Sequence, residues 1–293
     1  MLTQQQIQDY HANGYLVLPG FKSADELAVL KNRAIEIANG HDINIHKTIF
    51  STGEQRQENI DPEHIDPEHI DAEQGYFLNS ANGICCFLEE KAFDKAGALV
   101  QSLPQSINKI GHALHDLDPV FDTFSRGDKL AQLAKDLGLN DAQIWQSMYI
   151  FKQPRIGGKV DWHQDASFFQ TDPITVTTFW FAIDDATLEN GCLWVQDGGH
   201  NSPLREVFTR DGDVTTMTSI DDTPWPEISE ARAVEVKAGT LVCFQGRLPH
   251  YSAENLSDKA RHAYTLHVTD STSKYAPENW IQRSADFPAH GFS

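Results

Sequence analysis

Apolar residues recur at helical intervals in two stretches near the start of the chain, Thr3 to Asn13 and Ser23 to Ala38. Ser23 and Glu26 form a capping box, and Asn39-Gly40 supplies a stop. The second helix is expected to pack through Leu27, Leu30, Ile35 and Ile37. Between the two, "GYLVLPGF" reads as a short strand ended by Pro19-Gly20. The spacing predicts a further helical region over about 105–138, changing helix at Asp118-Pro119. Lys109, His112 and His115 then lie near one another, with the lysine on the helix surface. From Gln143 the pattern switches to short β-like runs, "QIWQSMYIFKQ", "TVTTFWFAI", "GCLWVQ", "AVEVKAGTLVCFQG" and "RHAYTLHV", separated by Gly, Pro, Asn or Asp. With almost no helix between them, these runs predict an antiparallel barrel or jelly roll rather than a parallel sheet with crossover helices.

The expected organisation is therefore mainly β with N-terminal helices, in a single domain over 1–293. Helical support lies mainly in 1–140 and the β-barrel core mainly in 141–270. Residues 51 to 75 differ in kind. "ENIDPEHIDPEHIDAEQG" repeats DPEHI in tandem, and its prolines and acids, with little to bury, predict a solvated loop over 54–74. His64 and His69 are read as part of that loop rather than as metal ligands.

Charge narrows the class. Against 42 Asp+Glu stand only 23 Lys+Arg, a formal net charge of −19, which repels phosphate backbones and anionic lipid. Nucleic-acid and membrane-surface roles are disfavoured, leaving a small-molecule substrate and a monomer or homodimer as the expectation. The N-terminus lacks a basic start and an apolar h-region, and no run approaches 18 apolar residues, so a cytoplasmic protein is expected. Its four cysteines, Cys85, Cys86, Cys192 and Cys243, form no CxxC and read as reduced, buried small side chains.

Candidate chemistry centres on "DWHQDASFF", residues 161 to 169. In an extended chain His163 and Asp165 point to one face, so an imidazole nitrogen and a carboxylate oxygen converge. Asp161 shares that period, but three ligands from one strand would crowd, and it is read as a neighbour of the site or as loop. A third ligand comes from His250, after the strand "GTLVCFQG" and a turn over 246–249. Two histidines and one carboxylate on one face of an octahedral ion leave three positions open, which suits non-haem Fe(II) binding a cosubstrate and O2. Eleven residues on, Arg261 heads the strand "RHAYTLHV", and a short hairpin through "NLSDKA" would lay its guanidinium near the metal. Arg261, Ala263, Thr265 and His267 then share one face, and Ser252 shares the face of His250. A guanidinium fork is the natural partner for the remote carboxylate of a 2-oxo diacid, which points to 2-oxoglutarate. Asn190-Gly191 and Gly198-Gly199 mark turns, and His200 beside the second is read as structural.

"SINKIGHALH", "QSMYIFKQP", "HQDASFF", "DATLENGCLW" and "NLSDKARHAYTLHV" resemble the phytanoyl-CoA dioxygenase family, and the similarity runs from "GYLVLPGF" to "PENWIQ". The resemblance implies an Fe(II)- and 2-oxoglutarate-dependent oxygenase on a double-stranded β-helix (a cupin-like jelly roll), with His163, Asp165 and His250 as ligands and ascorbate in a supporting role. It also implies that Lys109, Met148, Trp180, Ser252 and Arg261 surround 2-oxoglutarate. Without it, Lys109 reads as helix surface and Met148 and Trp180 as core. The DPEHI repeat departs from the family pattern. Two alternatives stand beside this reading: a cupin-type isomerase or hydrolase that needs the triad but not Arg261, and a catalytically silent binding protein of the same fold.

Overall fold

Thr3 and Ser23 each open a helix through a capping box, Thr3 with Gln6 and Ser23 with Glu26, giving α1 (Gln4–Asn13) and α2 (Ala24–Asn39). The computed structural model describes residues 1–50 and 74–293. The DPEHI repeat, and all of the acidic segment but its last residue, lie outside the described residues. No described helix is long and apolar enough to cross a membrane. The four cysteines are free, with Cys85 half-buried and the others buried.

The strands in chain order are β1 (Tyr15–Leu18), β2 (Ile84–Leu88), β3 (Ile107–His112), β4 (Ala142–Ile150), β5 (Val160–His163), β6 (Thr171–Asp172), β7 (Thr177–Ala182) and β8 (Leu193–Val195). They continue with β9 (Glu206–Asp211), β10 (Val214–Ser219), β11 (Arg232–Val234), β12 (Leu241–Gln245), β13 (His250–Ser252), β14 (Ala263–Asp270) and β15 (Lys274–Tyr275). Among the described residues the larger sheet has seven strands in the order β1-β12-β7-β14-β4-β3-β2, and a four-stranded sheet runs β11-β8-β13-β5. The paired strands are antiparallel.

Both faces of the larger sheet are covered. Phe179, Phe181, Tyr149, Tyr264 and Leu266 point outward and pack with Leu27, Leu30, Ala34 and Ala38 of α2 and with Phe121 and Phe124. Trp180, Ala182, Val242, Phe244 and Ala263 point inward, against Leu193, Val195 and Val234 of the smaller sheet. Cover on both sides leaves every residue of β7 and β14 buried, the polar Thr178, Thr265 and His267 included.

Two expectations fail here. Residues 107–112 form strand β3, not a helix, pairing β2 on one side and β4 on the other. Both faces of β3 are buried, so the two-residue period is hidden and the local spacing imitates a helix; tertiary pairing overrides it. Helices follow only from Leu114 onward, as Leu114–Leu117, Pro119–Ser125 and Asp128–Asp136. The first 140 residues thus give β2 and β3, besides the expected strand β1, to the main sheet. The second failure concerns "NLSDKA": β13 and β14 do not pair as a hairpin but belong to different sheets. The connection turns the corner of the sandwich, which aims Arg261 across it. The hairpin of β9 and β10, turned at Gly212 (φ 60°), was not anticipated either.

Candidate active site

His163 and His250 face each other directly across β5 and β13, with ring centroids 4.0 Å apart. β5 ends at His163, but Gln164 stays extended (φ −125°, ψ 127°), so Asp165 still emerges on the histidine side before the chain turns. Gln164 points the other way and locks this corner: its amide donates to Pro203 O (3.0 Å) and Arg247 O (2.7 Å) and accepts from Arg205 N (3.0 Å). The result is one ligand atom each from His163, Asp165 and His250, all within 4.8 Å of one another.

Protonation is arranged by the backbone. Nδ1 of His163 lies 2.8 Å from Asp161 O, and Nδ1 of His250 lies 3.0 Å from Leu248 O. Each Nδ1 therefore carries a proton, which leaves Nε2 as the nitrogen available to ligate, facing inward 3.7 Å from Asp165 Oδ1 in both cases. Burial and the neighbouring His250 push the His163 pKa down to about 4, so its ring is neutral near pH 7. Burial works to raise the Asp165 pKa, yet the His250 and His267 imidazoles outweigh it and hold the carboxyl well below its usual range. Two imidazoles with Nε2 turned inward beside a carboxylate make the donor set a divalent transition metal requires.

A row of side chains crosses the inner face of the larger sheet beside this cluster. Thr265 stands opposite Trp180 on β7 and opposite Met148 on β4, and opposed residues share a face. Lys109, opposite Ile150 on β3, joins that face and reaches Met148 Sδ at 3.8 Å. Its ammonium is buried over the Phe50 ring, 3.5 Å from the centroid, and has no carboxylate partner among the described residues. Burial lowers its pKa to about 7. The expected surface lysine is thus an interior one, a consequence of strand β3 replacing the helix.

Arg261 closes the far end of the row, its guanidinium carbon 5.5 Å from the Trp180 ring centroid. Nε donates to Gly191 O and Nη2 to Ser252 Oγ, both at 3.1 Å, while Nη1 is buried without a partner. Thr265 Oγ1 is likewise buried and unpartnered. An arginine 2% exposed with a free N–H and no carboxylate in reach among the described residues is built to receive an anion. Thr265 was placed on this face by the two-residue period, but nothing in the sequence marked its free hydroxyl.

The other candidates lie elsewhere. The Asp161 carboxylate pairs with Lys159 (3.0 Å), and only its backbone carbonyl serves the site. His200 Nε2 bonds to His11 O, a structural contact. His112 and His115 are separated: His112 contacts Ser80 Oγ (2.7 Å), and His115 contacts Ser147 Oγ (2.8 Å) and Asp116 (3.0 Å) in the core.

The sequence profile of the family described as "Phytanoyl-CoA dioxygenase (PhyH)" matches residues 10–263. The chain belongs to the phytanoyl-CoA dioxygenase family. It is 44% identical over 284 residues to a "Phytanoyl-CoA dioxygenase" of Arabidopsis thaliana, covering 97% of this chain and 94% of the plant protein. To "Phytanoyl-CoA dioxygenase domain-containing protein 1" of Bos taurus it is 40% identical over 292 residues, covering 98% and 97%. Among solved structures it is similar to the "non-heme alpha ketoglutarate dependent carbocyclase SnoK from nogalamycin biosynthesis", with TM-score 0.64, 16% identity and coverage of 99% and 97%. In this family member the two opposed sheets form the double-stranded β-helix, and the triad sits between them where β5 and β13 meet.

Proposed function

We propose that the protein is an Fe(II)- and 2-oxoglutarate-dependent dioxygenase that hydroxylates a small or medium organic substrate and releases succinate and CO2. The observation that carries this reading is the pairing of a metal-type triad with a buried Arg261 whose Nη1 lacks a partner. A cupin-type isomerase needs the first and has no use for the second.

In this reading His163 Nε2, Asp165 Oδ1 and His250 Nε2 hold the iron. When bound, iron and 2-oxoglutarate together supply the oxidising chemistry. Everything else is done by the chain. Arg261 holds the remote carboxylate of 2-oxoglutarate, with Ser252 fixing the guanidinium plane. Lys109 offers a second cation, and Met148, Thr265 and Trp180 line the wall between the two. Asp165 and His250 are buried between the two sheets, which limits the access of water to the reacting end. An acyl-CoA is a poor fit to a chain of net charge −19, because its phosphates would need a cluster of basic residues.

The test is succinate formation from 2-oxoglutarate with Fe(II) and ascorbate, run with and without a metabolite library. Succinate that depends on iron and rises with particular metabolites is the expected result. No succinate under any condition would sink the reading.

A further inference from the structure

Thr178 on β7 and His267 on β14 are direct cross-strand partners, so their side chains stand side by side on the inner face. Both are buried, and both address the same atom. The Thr178 hydroxyl donates to Asp165 Oδ2, and His267 Nε2 lies 3.5 Å from that oxygen. Meanwhile Oδ1 is the oxygen facing His163 and His250. His267 Nδ1 has no partner, which favours the tautomer carrying its proton on Nε2, since a buried N–H without an acceptor costs more than a bare lone pair. The ring is fixed in that pose by stacking on Phe169, 5.0 Å between centroids and 16° from parallel.

We propose that Thr178 and His267 are positioning residues that clamp Oδ2 of Asp165 and so make the carboxylate a one-oxygen ligand. The inference rests on the proposed metal centre and goes beyond it. A free carboxylate can turn and offer both oxygens to an ion, occupying a second coordination position. With Oδ2 engaged by two neighbours, only Oδ1 is offered, and three adjacent positions remain for a chelating 2-oxo acid and O2. Neither residue belongs to the ligand triad. The two-residue period already put His267 on the face of Arg261; Thr178 becomes visible only when β7 is set in register against β14.

The experiment titrates metal-free protein with Co(II), following its visible absorption, for the parent and for Thr178→Val, Thr178→Ser, His267→Leu and His163→Ala. Each variant's metal-free unfolding midpoint is measured alongside. Loss of partners around a ligand weakens metal binding by about 10–100-fold in known sites. Thr178→Val and His267→Leu are expected to lose about tenfold or more in Co(II) affinity and to alter the Co(II) spectrum, whereas Thr178→Ser keeps the parental values. A packing role would instead lower the metal-free midpoint and leave affinity and spectrum alone. If Thr178→Val fails to fold, His267→Leu carries the test from the other side of the carboxylate. Parental affinity in the folded clamp variants overturns the clamp alone. A parent that binds no Co(II), or a His163→Ala variant that binds it as tightly, overturns the metal centre and the clamp with it.

Discussion

Arg261 rests Nη2 on the Ser252 hydroxyl 3.1 Å away, although the two residues lie in different sheets' territory, Ser252 ending β13 and Arg261 preceding β14. The corner between the sheets makes this contact, and it leaves Nη1 pointing at nothing. Arg261→Leu is expected to spare metal binding and to weaken 2-oxoglutarate by well over tenfold. Leaving a desolvated carboxylate without its partner costs about 3–5 kcal/mol. Ser252→Ala removes one hydrogen bond to a charged group, about 1–3 kcal/mol, and is expected to do less. Anaerobic titration of 2-oxoglutarate into the Fe(II) protein, read by the charge-transfer band, measures both. Unchanged affinity in Arg261→Leu would remove the cosubstrate assignment even with the triad intact.

The triad makes a separate prediction. His163→Ala, Asp165→Ala and His250→Ala each leave two donors, too few to hold a divalent ion tightly. Metal content is expected to fall from one iron per chain to near zero in each, with circular dichroism unchanged. Retention of iron in any one of them removes that residue from the ligand set.

Much of this site was legible in the sequence because its residues sit at short, fixed separations on extended chain. His163 and Asp165 are two apart, Gln164 is extended between them, and the inference from periodicity held. The face shared by Arg261, Thr265 and His267 was legible for the same reason. Lys109 was not: it lies on a strand buried on both sides, whose pattern imitates a helix, and only its pairing with β2 and β4 turns the ammonium inward. Thr178 was invisible too, since it sits in a fully buried strand and its role depends on register with a residue 89 positions away. Short-range geometry can be read from spacing, whereas cross-strand register is set by the folded sheet.

Lys109 gives the pH dependence. Its pKa is lowered from 10.5 to about 7 in the folded protein, by burial. Between those values the unfolded chain binds more protons than the folded one, so stability rises with pH across that window. Bringing an anion beside Lys109 favours the ammonium, so 2-oxoglutarate binding takes up a proton above about pH 7 and its affinity falls as pH rises further. Lys109→Met is expected to flatten both profiles and to weaken 2-oxoglutarate below pH 7. Urea unfolding and cosubstrate titration from pH 6 to 9 check this. A parent whose cosubstrate affinity is level across that range places Lys109 away from the ligand.

The last prediction concerns a backbone atom. Gly191 O accepts from both Arg261 Nε (3.1 Å) and Ser252 Oγ (3.2 Å), so one carbonyl orients the whole anion-binding pair. Gly191 has φ 81°, and a Cβ there would lie 2.5 Å from Ala253 O and 2.7 Å from Lys152 Cε. Gly191→Ala must therefore push its backbone and that of Ala253 apart as well as accept left-handed backbone, which alone costs roughly 1–2 kcal/mol for an L-residue. Gly212 is the control: its φ is 60°, but a Cβ there meets nothing within 4 Å. Gly212→Ala is expected to lower the unfolding midpoint by only a few degrees, at about 2–4 °C per kcal/mol for a chain somewhat smaller than this one. It should leave 2-oxoglutarate affinity unchanged. Gly191→Ala is expected to lower the midpoint further and to lose several-fold in 2-oxoglutarate affinity while binding metal as before. Equal cosubstrate affinity in the two variants would show that the Gly191 carbonyl does not set the position of Arg261.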